Sequence, residues 1–139
     1  MYLIDTNVVS ELRKRHRANS GVQAFFQATA QQSQQLYLSV ITLGELRRGV
    51  EKIRYRGDQT QAQQLELWLN TLVNDYSERI LDFGDTEAQL WGKLRVPHHE
   101  NAIDKQIAAT ALTYDLTVVT RNTHDFTGTG TKLLNPFAE

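Results

Sequence analysis

Short apolar runs alternate with helix-patterned segments along the chain, and this alternation constrains the fold more than any other feature. The runs have the length of strands and cover residues 2–4, 36–40, 79–83, 116–120 and 132–134. Strands that alternate with helices form a mostly parallel sheet with helices packed on both faces. We therefore predict a single α/β domain over residues 1–139, with a central sheet of four to five strands.

Candidate helix boundaries fit between these runs. We predict Ser20 as the N-cap of the helix that carries Val22, and Thr42 as the N-cap after the second strand, because short hydroxyl side chains cap helices well. The apolar period over about residues 60–76 predicts a further helix, which would pair antiparallel with the one before it. Asn101 is predicted to open the helix that precedes the fourth strand.

The overall composition excludes several classes of protein. A hydrophobic fraction of 40% and a charged fraction of 22% are those of an ordinary globular protein. The absence of cysteine excludes disulfides and thiolate metal sites. The formal net charge of −1 gives no global attraction to nucleic acid, so any such site must be a local basic patch. With no long apolar segment and no signal-peptide pattern, we expect a cytoplasmic protein without membrane contact.

Acidic residues follow the predicted strands at the points where polar chemistry is expected in a parallel sheet. Asp5 directly follows the first strand, and Glu45 is predicted in the first turn of the helix after the second strand. Asp104 is predicted in the first turn of the helix that starts near Asn101, and Asp125 follows the fourth strand. Because functional groups collect at the carboxyl ends of parallel strands, we expect these four carboxylates to converge.

Four converging carboxylates have a specific chemical consequence. Without a counter-charge, the mutual repulsion of the carboxylates costs free energy, so a divalent cation is the natural partner. An all-oxygen ligand set favours Mg²⁺ or Mn²⁺ over zinc. A site of this kind suits hydrolysis of a phosphodiester, in which two ions about 3.5–4 Å apart activate water and stabilise the leaving oxygen.

Four segments carry a resemblance to a known family. In chain order they are residues 3–7 (LIDTN), 39–46 (SVITLGEL), 104–111 (DKQIAATA) and 119–126 (VTRNTHDF). Together they resemble the successive motifs of PIN-domain ribonucleases, and most closely those of the VapC and FitB-like toxins of type II toxin–antitoxin pairs. The resemblance implies a Mg²⁺- or Mn²⁺-dependent endoribonuclease, usually a homodimer, which is neutralised by a small antitoxin protein.

The resemblance also assigns roles to individual residues. Asp5, Glu45 and Asp104 correspond to the three central acids of the family. The fourth is open, because Asn122 occupies a position that is Asp in some relatives, which leaves Asp125 as the available carboxylate. Polar neighbours that would orient carboxylates or water are Thr6, Asn7, Thr120 and Asn122.

Basic residues near these motifs are candidates for contact with RNA phosphates or with an acidic stretch of an antitoxin. They are Arg13, Arg15, Arg47, Arg48, Lys105 and Arg121. Solvated helix faces are the usual explanation for such charge runs. Lys105 is a departure from the family, which commonly has a small residue there, and its ammonium could contact a phosphate or point to solvent. The four histidines show no metal-ligand spacing such as HExxH and are read as incidental.

Other functions on a similar sheet remain open at this point. An aspartate-phosphorylated receiver-like signalling domain would need paired acids near the first strand, and Asp5 has no acidic neighbour. A phosphatase with an aspartate nucleophile would need Asp-x-Asp, and position 7 is Asn. A catalytically inactive PIN-like binding module is the third alternative, although the presence of all the acids argues against it.

Overall fold

The computed structural model describes all 139 residues and shows an α/β fold. The strands are β1 (Tyr2–Ile4), β2 (Leu36–Ser39), β3 (Ile80–Leu81), β4 (Thr117–Val119) and β5 (Lys132–Leu134). The helices are α1 (Thr6–Leu12), α2 (Ser20–Gln31), α3 (Val40–Tyr55), α4 (Gln59–Asp75), α5 (Asp85–Leu94) and α6 (Ala102–Tyr114). Two short 3-10 helices, Arg15–Arg17 and Thr123–Phe126, complete the secondary structure.

The five strands form one entirely parallel sheet in the order β3-β2-β1-β4-β5. Strand β1 is central: Leu3 pairs with Tyr37 of β2 on one side and with Val118 of β4 on the other. This register brings the carboxyl ends of β1 and β4 level with each other, and the backbone N–H of Asp5 donates to the carbonyl of Val119 at 2.9 Å. The predicted sheet is therefore confirmed.

The sheet separates two hydrophobic cores because alternate residues of a strand point to opposite faces. Ile4 of β1 packs into the larger core, with residues of α1, α2, α3 and α4. Leu3 points to the other face and packs with Ile107 and Ala108 of α6. Both side chains are essentially inaccessible to water. Helices cover both faces, as predicted, and the alanines of α6 allow its backbone to lie close to the sheet.

Two predicted helix caps are wrong. Asn19, not Ser20, caps α2, with its Oδ1 accepting from the N–H groups of Gly21 at 2.9 Å and Val22 at 3.3 Å. Ser39, not Thr42, caps α3 through Oγ, which accepts from the N–H of Ile41 at 3.0 Å. Each cap is the last residue before its helix, and its side-chain oxygen reaches a backbone N–H that has no partner within the helix.

The early start of α3 also corrects the predicted place of Glu45. Since α3 begins at Val40, Glu45 lies in its second turn, where backbone N–H groups are already bonded within the helix.

The predicted helical pair between the second and third strands is present, because α3 packs against α4. The third and fourth strands are shorter than the predicted runs. Measured against the length and hydropathy needed to cross a bilayer, every helix of the fold falls short.

Candidate active site

Asp5 is the most firmly held carboxylate at the carboxyl edge of the sheet. It ends β1 and caps α1, so its Oδ1 accepts from the backbone N–H of Thr6 at 2.8 Å. Its Oδ2 accepts from the hydroxyl of Thr120 at 2.8 Å and from the amide of Asn7 at 3.3 Å. Only 4% of the residue is exposed. These contacts give the carboxylate a single orientation.

The side chain of Thr120 joins the ends of the two central strands. Its hydroxyl accepts from the amide of Asn7 at 3.3 Å and from the backbone N–H of Asn122 at 3.0 Å. The hydroxyl has one proton of its own, and it donates this proton to Asp5 because its other two partners are themselves donors. Asn7 extends the network by accepting from the N–H of Arg121 at 3.0 Å. Thr6 lies beside Asp5, and its hydroxyl donates to that of the buried Thr42 at 3.4 Å.

Burial opposes the ionisation of Asp5. It raises the pKa of the carboxyl above its ordinary value, and the nearby charge of Glu45 adds to this effect. The hydrogen bonds from Thr120, Thr6 and Asn7 act in the opposite direction by stabilising the charged form. Burial thus disfavours the charged form of Asp5, and three hydrogen bonds from neutral residues partly offset this effect.

Asp104 lies in the first turn of α6 and interacts with the other three acids. Burial, followed by the charges of Asp5, Asp125 and Glu45, raises its pKa from 3.8 to about 6. The fold therefore brings Asp5, Glu45 and Asp125 within electrostatic range of Asp104. Chain segments that are distant in sequence supply them.

These carboxylates have no basic partner. Ion pairs elsewhere in the protein involve none of the four, and the side chains of Glu45, Asp104 and Asp125 accept no hydrogen bond. No three acidic or histidine side chains converge on one point closely enough to ligate an ion. An ion shared by three of the acids therefore requires side-chain rotation. The all-oxygen donor set and its uncompensated charge fit a hard divalent cation.

The structure corrects the expectation for Lys105. Its side chain is 6% exposed, and Nζ donates a hydrogen bond to the carbonyl of His98. The ammonium therefore does not point to solvent, and the carbonyl of His98 already takes one of its hydrogen bonds. The reason is the loop before α6, which folds over the first turn of the helix and presents a carbonyl to Lys105.

The remaining basic candidates divide into two groups. Arg47 is paired with Glu66 of α4 at 2.7 Å and with Glu51 at 3.1 Å, so it ties α3 to α4. Arg48, the neighbour of Arg47, is exposed on α3. The exposed candidates near the sheet edge are Arg13, Arg15 and Arg121.

A cavity extends from the acidic site between α1, α3 and α4. It has a volume of about 250 Å³, with Thr6 and Glu45 at one end and Trp68 among the lining residues. Arg13 and Trp68 also line an adjoining groove of about 710 Å³, whose basic side includes Arg15. Trp68 is partly buried and also packs against the larger core. The apolar period of α4 does not distinguish a position that lines a groove from one that lies in the core, so the groove could not be predicted from the sequence.

Comparison with known proteins finds relatives that match nearly the whole chain, including the segments that form this site. The PIN domain family model matches residues 2–130. The chain is 33% identical to Toxin FitB of Neisseria gonorrhoeae, covering 99% of each sequence, and the crystal structure of FitAcB from the same organism superposes with a TM-score of 0.84 over 98% of each chain. It is 32% identical to VapC ribonuclease Y4jK of Sinorhizobium fredii, covering 99% of this chain and 98% of that protein. A toxin–antitoxin complex from Klebsiella pneumoniae contains a chain that is 26% identical, with a TM-score of 0.65 and full coverage of both chains.

Proposed function

The chain belongs to the PIN-domain family, and from that premise we propose that it is a divalent-metal-dependent endoribonuclease that acts as the toxin of a toxin–antitoxin pair. The observation that supports this most is the group of four carboxylates without a basic partner, of which only Asp5 is anchored. The name of the ribonuclease relative supports the substrate, and the name of the toxin relative supports the role.

In this proposal each acid has a defined task. Asp5 is the fixed ligand, because its orientation is set by neutral donors. Asp104 and Glu45 are the adjustable ligands from α6 and α3, and Asp125 is the fourth. Asn122 supports this set through its backbone N–H, which donates to the hydroxyl of Thr120. A bound Mg²⁺ or Mn²⁺ would supply Lewis acidity to activate water and to stabilise the leaving oxygen.

We further propose RNA, a small antitoxin and a second copy of this chain as partners. The groove beside Arg13 and Arg15 connects with the acidic site, and its positive charge suits an anionic ligand. The Klebsiella pneumoniae complex supports a protein partner of the antitoxin type. The homodimer rests on the family resemblance and stays a prediction, which sedimentation of the purified protein would test.

The two alternatives fit the geometry less well. A receiver-like domain needs a second acid beside Asp5, whereas the groups that bond to Asp5 belong to the neutral residues Thr6, Asn7 and Thr120. A binding module without chemistry has no use for Asp104, whose raised pKa shows that its charge is costly in the fold.

The direct test is cleavage of RNA by the purified protein with Mg²⁺, with Mn²⁺ and with excess chelator. We expect internal cleavage with either ion and none with chelator, restored when the ion is added back. Because an endonuclease creates new ends at internal positions whereas an exonuclease removes nucleotides from one end, mapping the product ends excludes a contaminating exonuclease. No cleavage with either ion by correctly folded protein, or equal cleavage with chelator, contradicts the proposal.

The support that Thr120 gives to Asp5 leads to a separate prediction. Thr120→Val retains the shape of the side chain and removes the hydrogen bond to Asp5. We expect the rate of RNA cleavage to fall about 10–100-fold, the usual effect of losing a partner that orients a metal ligand. Steady-state kinetics at saturating Mg²⁺ measures this.

Thr110→Val is the matched control, because Thr110 is also fully buried but bonds only to the carbonyl of Gln106 within α6, at 3.4 Å. We expect this variant to retain its activity. Equal rates for the Thr120 variant and the wild type would show that Asp5 does not depend on this hydroxyl.

A further inference from the structure

Three arginines of this protein stack on aromatic rings. The guanidinium of Arg79 lies 4.7 Å from the ring centre of Tyr76, and that of Arg95 lies 4.7 Å from the ring of Trp91. Both also donate hydrogen bonds: Arg79 to two backbone carbonyls at 3.0 and 3.3 Å, and Arg95 to one at 3.4 Å. Stacking and hydrogen bonding together make these two side chains part of the framework.

Arg121 is the third stacked arginine, and it differs from the other two. Its guanidinium lies 4.7 Å from the ring centre of Phe137. The residue is exposed, and its guanidinium donates no hydrogen bond and forms no ion pair; only its backbone N–H is bonded, to Asn7. The ring therefore restricts a charged group whose donors remain available to a ligand.

The ring of Phe137 is itself held by the C-terminal strap, which we define as residues 135–138. Asn19 bonds to Ala138 twice: its amide donates to the carbonyl at 2.8 Å, and its Oδ1 accepts from the N–H at 2.9 Å. The backbone of the strap lies so close to Gly21 that a Cβ there would be 2.2 Å from the carbonyl oxygen of Pro136. The first turn of α2 thus fixes the strap through backbone contacts.

The position of Arg121 in the chain places it beside the acidic site. It directly follows Thr120, whose hydroxyl holds Asp5, and its N–H donates to Asn7, which also contacts Asp5. The pKa of Glu11 on α1 is lowered mainly by hydrogen bonds from Lys14 and from the N–H of Asn19, and the charge of Arg121 adds to this effect, so the guanidinium lies within electrostatic range of that helix. Arg121 is therefore a cation at the rim of the site, whereas Arg79 precedes β3 at the opposite edge of the sheet.

We propose that the C-terminal strap positions Arg121 to bind an RNA phosphate next to the one that is cleaved. The inference rests on the proposed ribonuclease function. A planar guanidinium with unused donors matches a phosphate, and stacking reduces the rotational freedom lost on binding. Arg121 contacts the substrate, and Phe137 is a positioning residue that acts through Arg121.

The test is the cleavage kinetics of a short single-stranded RNA with Mg²⁺. A contact that is equal in the ground state and the transition state raises KM and leaves kcat nearly unchanged when it is lost. For Arg121→Gln we expect KM to rise about 10–100-fold, the usual effect of losing a charge-assisted hydrogen bond. Arg79→Gln removes a stacked arginine at the opposite edge of the sheet, and its KM should equal that of the wild type.

Variants of the strap separate positioning from folding. Phe137→Leu retains apolar packing but lacks the ring, so KM should rise about 2–5-fold, as expected for an exposed cation–π contact. Phe137→Tyr retains the ring and should restore the wild-type value. Gly21→Ala displaces the strap without changing either Arg121 or Phe137, and we expect KM to rise in the same direction. An unchanged KM in both Arg121→Gln and Phe137→Leu overturns the proposal.

Binding of labelled RNA in EDTA distinguishes this proposal from the ribonuclease function itself. If the wild-type protein cleaves no RNA in any metal, the ribonuclease function fails, yet the binding measurement still tests Arg121. Losing one phosphate contact should reduce the slope of log K against log salt by about 0.7 for a single strand. The phosphate contact is overturned if Arg121→Gln and the wild type show the same slope of log K against log salt, or if neither protein binds RNA. A loss of binding to an acidic protein partner in Arg121→Gln would not rescue it.

Discussion

Asp5→Asn is expected to lower the rate of RNA cleavage at least about 10³-fold, because a metal at this site is worth several kcal/mol of transition-state stabilisation. The fold should survive, since asparagine caps helices as well as aspartate does and can still accept from the N–H of Thr6. Single-turnover cleavage with saturating Mg²⁺ or Mn²⁺ measures the loss, and circular dichroism verifies the fold.

Asp58→Asn is the matched control for this substitution. Asp58 caps α4 by accepting from the N–H of Gln61 at 3.0 Å, as Asp5 caps α1, and it is exposed. The same chemical change at a helix cap outside the acidic site should leave cleavage within a factor of about two, because such surface changes rarely exceed ±0.5 kcal/mol. Comparable cleavage by the Asp5 and Asp58 variants would show that Asp5 acts only as a cap.

Asp104→Asn is expected to change activity and stability in opposite directions. Cleavage should fall to a similar extent as in Asp5→Asn, because a ligand is lost. The metal-free protein should become more stable at pH 7, since burial and neighbouring carboxylates raise the pKa of Asp104 to about 6 and its charged form is therefore disfavoured in the fold. After a discount for solvent screening, we expect a gain of about 1–2 kcal/mol in the free energy of unfolding.

The pH profile of stability follows from the same shift. Between the unfolded pKa of 3.8 and the folded value of about 6, the folded Asp104 binds more protons than the unfolded chain does. The contribution of Asp104 to the stability of the metal-free wild type should therefore fall as pH rises through this window, and this contribution should be absent from Asp104→Asn. Urea unfolding in EDTA from pH 4 to pH 7 measures both profiles.

Asp85→Asn provides the comparison for stability. Asp85 is also an acid in a first helical turn, on α5, but it is exposed and accepts from Gln89 at 2.8 Å. Its neutralisation removes a favourable interaction with the helix dipole, so stability should fall by about 0.3–1 kcal/mol. Mg²⁺ should stabilise the wild type and the Asp85 variant more than the Asp104 variant, because ligands stabilise the state that binds them. A less stable Asp104→Asn protein would contradict the assignment of repulsion at this site.

The sequence was informative where structure depends on short-range pattern. The alternation of apolar runs and helical periods predicted the parallel sheet, and the polar residues that follow β1 and β4 predicted a site at its carboxyl edge. This succeeded because the residues after parallel strands must lie at one edge of a sheet, whatever the connections between the strands.

The sequence did not reveal contacts between side chains and partners that other elements of the fold supply. Lys105 was expected at the surface or on a ligand, but the loop before α6 buries it. Arg47 looked like its neighbour Arg48, yet Glu66 of the next helix pairs with it. Buried, paired and exposed basic residues have the same charge and lie in the same kind of helical pattern. Only the packing of neighbouring elements distinguishes one from another.

The sequence alone was enough to predict the fold class and the family, and it supplied four candidate acids, because each of these depends on the identity and spacing of residues along the chain. The tertiary structure alone decided which acid is anchored, how strongly the acids repel each other, and which arginine stays available beside them. Those properties depend on burial and on hydrogen bonds such as that from Thr120 to Asp5, which join residues 115 positions apart. The distances between side chains and the degree to which each is desolvated cannot be read from the order of residues, yet they set the electrostatic and hydrogen-bond energies on which the site depends.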